Sequence, residues 1–197
     1  MLSANANDLQ FLFESAGQPV LINDTERTAI ITNPQMSANE ERYIHTLDGV
    51  SQGDIVLFDD KKFIAIGESV TKRHGKFKTK IRHCNFIIEL AGETIQELLK
   101  DDDGNIILDD YGEPILVEVD GEPYYIPAIV DSDSLQVFDG QIQVEVNRII
   151  VTVQDNDIDR KKFDTNKTFH LMGQNWKVKN VDIAKKGLLI LVCEKVI

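Results

Sequence analysis

The feature that most narrows what this chain can fold into is a hairpin plan written twice. Over residues 168–197 a short apolar strand from Phe169 turns at Gly173-Gln174-Asn175, rises again as Trp176-Lys177-Val178, and turns at Lys185-Lys186-Gly187 into an apolar run closed by Cys193. Over residues 54–88 the order recurs: a strand from Ile55, a turn at Asp59-Asp60-Lys61-Lys62, Phe63-Ile64-Ala65-Ile66, then Gly75 and a run from Phe77 to Cys84. Upstream, Gly17-Gln18 leads through Asn23 to Arg27 and a β-branched run, as Gly140-Gln141 leads through Asn147 to Arg148 and another. The likeness predicts an internal duplication, with too few copies and too long a period for a solenoid.

The fold expected is therefore mainly β: two small related β-barrel or sandwich domains joined by an acidic β-hairpin arm, with a short N-terminal helix. The boundaries are an N-terminal β domain with its leading helix over 1–90, an acidic arm and linker over 91–139, and a C-terminal β domain repeating the first over 140–197. Frequent Ile, Val and Thr, punctuated by Gly and Asn-Asp, agree with strands joined by tight turns. The last domain spans fewer than sixty residues, a size that is marginal alone. Its core is expected from Val144, Val146, Ile149, Val151, Val153, Phe169, Leu171, Trp176, Val178, Val181, Leu189 and Leu191, helped by contact with the other domain or another chain.

At the N-terminus, Asn5 or Asn7 caps a helix over 8–16 that Gly17 stops in a left-handed conformation. Leu9, Phe11, Leu12 and Phe13 are too apolar to stay uncovered, and they either pack on the first β domain or dock into a neighbouring subunit. The stretch 33–42, polar and holding Pro34, is an exposed loop.

Charge is strongly partitioned. The net charge is −12, which argues against nucleic acid as the partner of the whole surface. Residues 91–139 are rich in Asp and Glu with one cation, Lys100, while 72–82 carry six cations and no acid. Within the latter, Lys76, Lys78, Lys80 and Arg82 alternate with Phe77, Thr79, Ile81 and His83, so a strand there projects a basic ridge from one face. Three readings stand for that ridge: a solvated or lysine-protected edge, pairing with an acidic surface such as the 101–122 region of a neighbouring copy, or a path for DNA.

In the arm, Thr94 and Glu97 form a capping box that predicts one or two helical turns over 95–100. Asp101-Asp102-Asp103-Gly104 and Asp109-Asp110-Tyr111-Gly112 are turns between short apolar runs. The first is no EF-hand loop, because the position-1 ligand would be Leu99, which leaves only a non-motif cation cluster. Residues 131–139 are a polar linker and 155–167 a charged connection between strands.

Nothing in the chain spells catalysis. It has no Gly-rich phosphate loop, Gly-x-Ser-x-Gly elbow, His-Glu-x-x-His or Cys-x-x-Cys, and His45, His74, His83 and His170 fall in different segments. Paired carboxylates sit in wet turns, where a carboxyl pKa is not raised for acid–base work. Cys84 and Cys193 close equivalent strands and are expected as buried, unpaired thiols rather than metal ligands. No run approaches the ~18 apolar residues that cross a bilayer, and no basic-then-apolar leader opens the chain, so no membrane partner is expected.

The residues 149–153 with Gln154-Asp155-Asn156, then Phe169, Gly173, Trp176-Lys177-Val178, Asp182 and Gly187-Leu188-Leu189, resemble structural proteins encoded by tailed phages of Gram-positive hosts. Gly53-Asp54-Ile55-Val56, Lys80-Ile81-Arg82-His83-Cys84-Asn85 and Ile126-Pro127-Ala128-Ile129-Val130 resemble the same group. The resemblance implies a non-enzymatic virion component, assembled in the host cytoplasm, in the neck where head-closure (stopper) proteins form rings between portal or adaptor and tail. It carries no catalytic residue, cofactor or metal. Expected partners are further copies in a ring, portal or adaptor and tail proteins, and packaged DNA. The interface residues expected are Lys76, Lys78, Lys80, Arg82, Asp101, Asp102, Asp103, Asp109, Asp110, Phe11 and Phe13. A tail-associated or virion-surface binding module, with Tyr111, Tyr124 and Tyr125 around an aromatic patch, is the alternative.

Overall fold

In the computed structural model, residues 6–34, 39–71, 75–101, 103–132, 136–138, 141–143 and 147–196 are described. Among the described residues the chain is mainly β, in two barrel-like sheets with two helices. It divides into two compact units, one built from the described parts of 1–88 and 127–197, the other Glu89–Ile126.

Helix α1 (Ala6–Ala16) leads into β1 (Gln18–Ile22), β2 (Thr25–Thr32), β3 (Glu41–Thr46), β4 (Ile55–Phe58), β5 (Lys61–Ala65), β6 (Val70–Thr71) and β7 (Phe77–His83). Their order is β3-β2-β1-β4-β5-β7-β6, and β7 also pairs along β3, so six of the strands close into a ring. Alternation fills the interior: Val20 and Ile22 of β1, Ile44 of β3, Phe63 and Ala65 of β5 and Ile81 of β7 form one core. Tight hairpins connect β1 to β2 and β4 to β5. Asn23-Asp24 (φ 46° and 62°) and Asp59-Asp60 (φ 51° and 57°) are left-handed at both positions, the arrangement whose twist matches the strands.

The second sheet runs β15-β16-β17-β14-β11-β8 and takes strands from three parts of the chain. These are β8 (Phe86–Leu90), β11 (Tyr124–Ser132), β14 (Arg148–Gln154), β15 (Thr168–Leu171), β16 (Gln174–Asp182) and β17 (Leu188–Lys195). Between them lie β9 (Thr94–Leu98), β10 (Leu116–Asp120), β12 (Gln136–Phe138), β13 (Gln141–Gln143) and α2 (Asp157–Lys162). The order β15-β16-β17-β14-β11 repeats β4-β5-β7-β3-β2, so the two sheets are related as the doubled hairpin implies. The upstream likeness maps differently: β14 is written like β2 but occupies the place of β3. Buried Ile149, Val151, Val153, Phe169, Leu171, Trp176, Val178, Leu189 and Leu191 make the second core, while Val181 is half-buried. Val144 and Val146 lie outside the described residues.

The two sheets are not independent. Ile64, Cys84, Ile129 and Leu188 form a shared apolar cluster. Asn85 donates to the Val130 carbonyl at 2.8 Å and accepts from its N–H at 2.7 Å, and Arg82 makes a two-pronged ion pair with Asp131. Gly53 and Gly187 meet so closely that a Cβ on Gly53 would lie 1.8 Å from the Gly187 carbonyl oxygen.

Several local expectations are corrected. Residues 94–98 are strand β9, not a capped helix, because Thr94 and Glu97 are taken into a ladder with Asp120 and Val117. The connection 155–167 contains α2: Asn156 caps it by accepting from the Asp159 N–H at 2.8 Å, and Phe163 at its end is buried against Phe169, ring centroids 5.5 Å apart. Glu41 and Arg42 begin β3 rather than ending a loop. Asp131 and Ser132 lie in β11 rather than a linker, pairing with Ile150 and Ile149. Gly17 does end α1, donating its N–H to Phe13 at 2.9 Å, yet its φ is not left-handed; what demands glycine is the Phe13 carbonyl, 2.2 Å from where a Cβ would sit.

Candidate functional site

The basic ridge is built as its alternation implies, with Thr79 and Ile81 buried and Lys76, Lys78, Lys80 and Arg82 half-buried on the other face. It is not an edge. β7 is flanked by β3 on one side and by β5 and β6 on the other. Three of its cations have partners within the chain: Lys78 Nζ sits 3.5 Å from the centre of the Tyr43 ring, Lys80 meets Glu41 at 2.7 Å, and Arg82 holds Asp131. Of the N-terminal aromatics, Phe13 is buried on the body and Phe11 is 70 % exposed, so the helix both packs and presents a side to solvent.

The acidic unit, Glu89–Ile126, has a regular architecture that the sequence reading missed. Three short backbone segments centred on Leu99, Ile107 and Ile115 hydrogen-bond in a closed cycle. Leu99 N–H donates to the Ile115 carbonyl at 2.8 Å, Ile107 to Leu99 at 2.8 Å, and Ile115 to Ile107 at 3.0 Å. Three two-stranded legs radiate from this triangle through the pairs Lys100 with Ile106, Leu108 with Pro114, and Leu98 with Leu116. The first two legs end in identical tips eight residues apart. Asp101 Oδ1 accepts from Asp103 N–H (3.0 Å) and Asn105 N–H (2.8 Å), and Asp109 Oδ1 accepts from Tyr111 N–H (2.9 Å) and Glu113 N–H (2.8 Å). Gly104 (φ 84°) and Gly112 (φ 83°) supply the left-handed residue at each. The third leg, β9 with β10, closes where Gly121 N–H donates to the Glu93 carbonyl at 3.1 Å.

The signal was an eight-residue period: Leu99-Lys100-Asp101, Ile107-Leu108-Asp109 and Ile115-Leu116 recur with Gly104 and Gly112 in register. Asp101 and Asp109 therefore each have a structural task. Asp101 is held below the usual carboxylate range, chiefly by the Asn105 backbone N–H and then by its side chain. Asp103, Asp109 and Asp110 are exposed beside these turns, whereas Asp102 lies outside the described residues.

The pseudo-threefold arrangement has two faces. Leu99, Ile107 and Ile115 are half-buried together on one. Strand alternation sends their neighbours Leu98, Lys100, Ile106, Leu108, Pro114 and Leu116 to the other, where all are exposed. Residues 89–126 hold twelve acids and one lysine, so eleven of the chain's twelve net negative charges belong to this unit and the rest is nearly neutral.

Several ionisable groups outside this unit are occupied structurally. Burial pushes the Asp159 carboxyl up, but it accepts from the Asn156 side-chain amide at 2.9 Å as part of the α2 cap. Asp155 is held down by the Arg160 guanidinium that grips it on the rim of a groove lined by Ser51, Gln52 and Lys186. Cys84 and Cys193 are free and buried, and desolvation pushes both thiols up to about 12. No group of three or more His, Cys, Asp or Glu with metal-holding geometry occurs among the described residues, and no helix is long and apolar enough to cross a membrane.

These features define a class first: a mainly β protein of two related sheets with an inserted acidic unit. The family model described as the YomX N-terminal domain matches residues 1–83, and the YomX C-terminal domain model matches 76–194. The chain belongs to the YomX family, a phage-derived family. The two models overlap on β7, the strand that carries the ridge. No curated protein and no solved structure matches the chain at a significant level.

Proposed function

We propose that the chain is a non-enzymatic assembly component of a tailed-phage particle, acting in the neck as a ring-forming head–tail connector of the head-closure type between portal or adaptor and tail. The observation that carries this reading is the charge partition: a nearly neutral body bears a separate unit holding eleven of the chain's twelve net negative charges, with Asp101 and Asp109 committed to its hairpin tips. Such a surface recognises proteins and repels DNA, which suits a component beside a DNA channel. Membership in a phage-derived family supports the setting. The basic ridge supports inter-copy pairing less than its sequence suggested, because Lys80 and Arg82 already hold Glu41 and Asp131.

The test is deletion of the gene in the phage that carries it, with mass spectrometry of gradient-purified wild-type particles. The expected outcome is the chain in wild-type particles and, without it, filled heads that lack tails. Light scattering of the purified chain is expected to give the mass of a multi-copy oligomer, and negative-stain electron microscopy its ring shape. Infectious particles of normal shape that never contained the chain would remove the reading. One observation favours the alternative of a tail-associated or virion-surface binding module: Tyr111 at a hairpin tip is 92 % exposed and Tyr125 is 60 % exposed. A glycan array bound through Tyr111, and not by Tyr111→Ala, would favour that module over the connector.

A further inference from the structure

The face of the pseudo-threefold unit that carries Leu98, Leu108 and Leu116 is apolar, exposed and ringed by carboxylates. Leu98, Ile106, Leu108 and Leu116 are 41 %, 45 %, 53 % and 55 % exposed, with Pro114 beside Leu108 and Lys100 beside Ile106. Five of the six exposed positions on this face around the triangle are therefore apolar, in a unit otherwise dominated by acids. A contiguous apolar face rimmed by polar groups marks an interaction site. Asp101 and Asp103 stand at one tip, Asp109 and Asp110 at the second, and Glu118 on the third leg.

The rim selects the occupant. A second copy offering the same face would bring eleven more negative charges into contact, and a second copy's body is nearly neutral with Lys80 and Arg82 of its ridge already paired. DNA and anionic lipid are repelled by the same charge. We propose that this face docks a different protein, through a contact surface with an apolar centre and a Lys/Arg rim. Apolar burial supplies affinity, and the charged rim sets register and association rate. The inference does not rest on the neck assignment, since a host protein with that surface would satisfy it equally.

The test places a photo-crosslinking phenylalanine at Leu108 of the full chain, made in cells together with its neighbouring genes. The captured protein is then purified and titrated against wild-type, Leu108→Asp and Asp103→Lys/Asp110→Lys chains, each checked by circular dichroism. The expected result is an adduct with a different protein, through a peptide bearing apolar residues flanked by Lys or Arg. Its Kd rises at least about tenfold with Leu108→Asp, and rises with the charge reversal and between about 50 and about 500 mM salt. An adduct with a second copy, an acidic cross-linked peptide, binding indifferent to Leu108→Asp, or no adduct overturns the proposal.

Discussion

At the scale of single residues, the tightest constraint is the meeting of Gly53 and Gly187. Both are left-handed (φ 92° and 81°), and a Cβ on either would lie under 2 Å from a backbone oxygen of the other segment. Gly53→Ala therefore forces the two sheets apart as well as straining φ, and is expected to cost about 3 kcal/mol in denaturant unfolding. A serine on the open Gly67, where nothing lies within 4 Å, is the matched control. Asp159 gives a pH signature. Its carboxyl is raised by burial, so the folded state holds the proton more tightly than the unfolded state. Stability is unaffected below the unfolded value of about 3.9 and declines as pH rises through the window up to the folded value. Asp159→Asn removes the ionisation, and its stability advantage over wild type is expected to be absent at pH 3.5 and to grow to a plateau by neutral pH. A constant difference at every pH would assign Asp159 a purely packing role.

At the scale of elements, α2 shows how a short helix escapes a pattern search. Its six residues are Asp-Ile-Asp-Arg-Lys-Lys, which read as charged connection. What fixes it is outside that span: the Asn156 cap, the Asp155–Arg160 pair and the Phe163 anchor, 1 % exposed. Phe163→Ala is expected to cost about 3–5 kcal/mol and Asn156→Ala about 1 kcal/mol, both measured by urea unfolding followed at Trp176, which is buried in the same sheet. β9 is the opposite error. Thr94-x-x-Glu97 fits a capping box, but a ladder from Thr94 with Asp120 to Leu98 with Leu116 gives the same amides partners in a strand. Local signals of that kind are weak priors that pairing overrides. The doubled hairpin, by contrast, was legible because alternation and two-residue turns act over a few residues.

At the scale of the whole molecule, the acidic unit is an insertion whose ends come together at Gly92 and Gly121, with a Cβ on Gly92 2.3 Å from the Gly121 carbonyl oxygen. Replacing residues 93–120 by a two-glycine turn removes ten acids and one lysine, taking the net charge from −12 to −3. The body is expected to keep its cooperative unfolding and lose anion-exchange retention, because its cores draw on residues outside that span. Loss of folding would show that the unit is part of the body's stability rather than a separate contact surface.

By itself the sequence determined the β class, the related hairpins, the N-terminal helix and the place of the charge, since alternation, turn residues and ionisable groups are properties of neighbouring positions. Only the tertiary structure decided that β8 and β11 join the second sheet, that Arg82 holds Asp131 forty-nine positions away, and that Leu99, Ile107 and Ile115 close a triangle. Those outcomes depend on which unpaired backbone edges and buried charges find each other in space, and no local pattern specifies that choice.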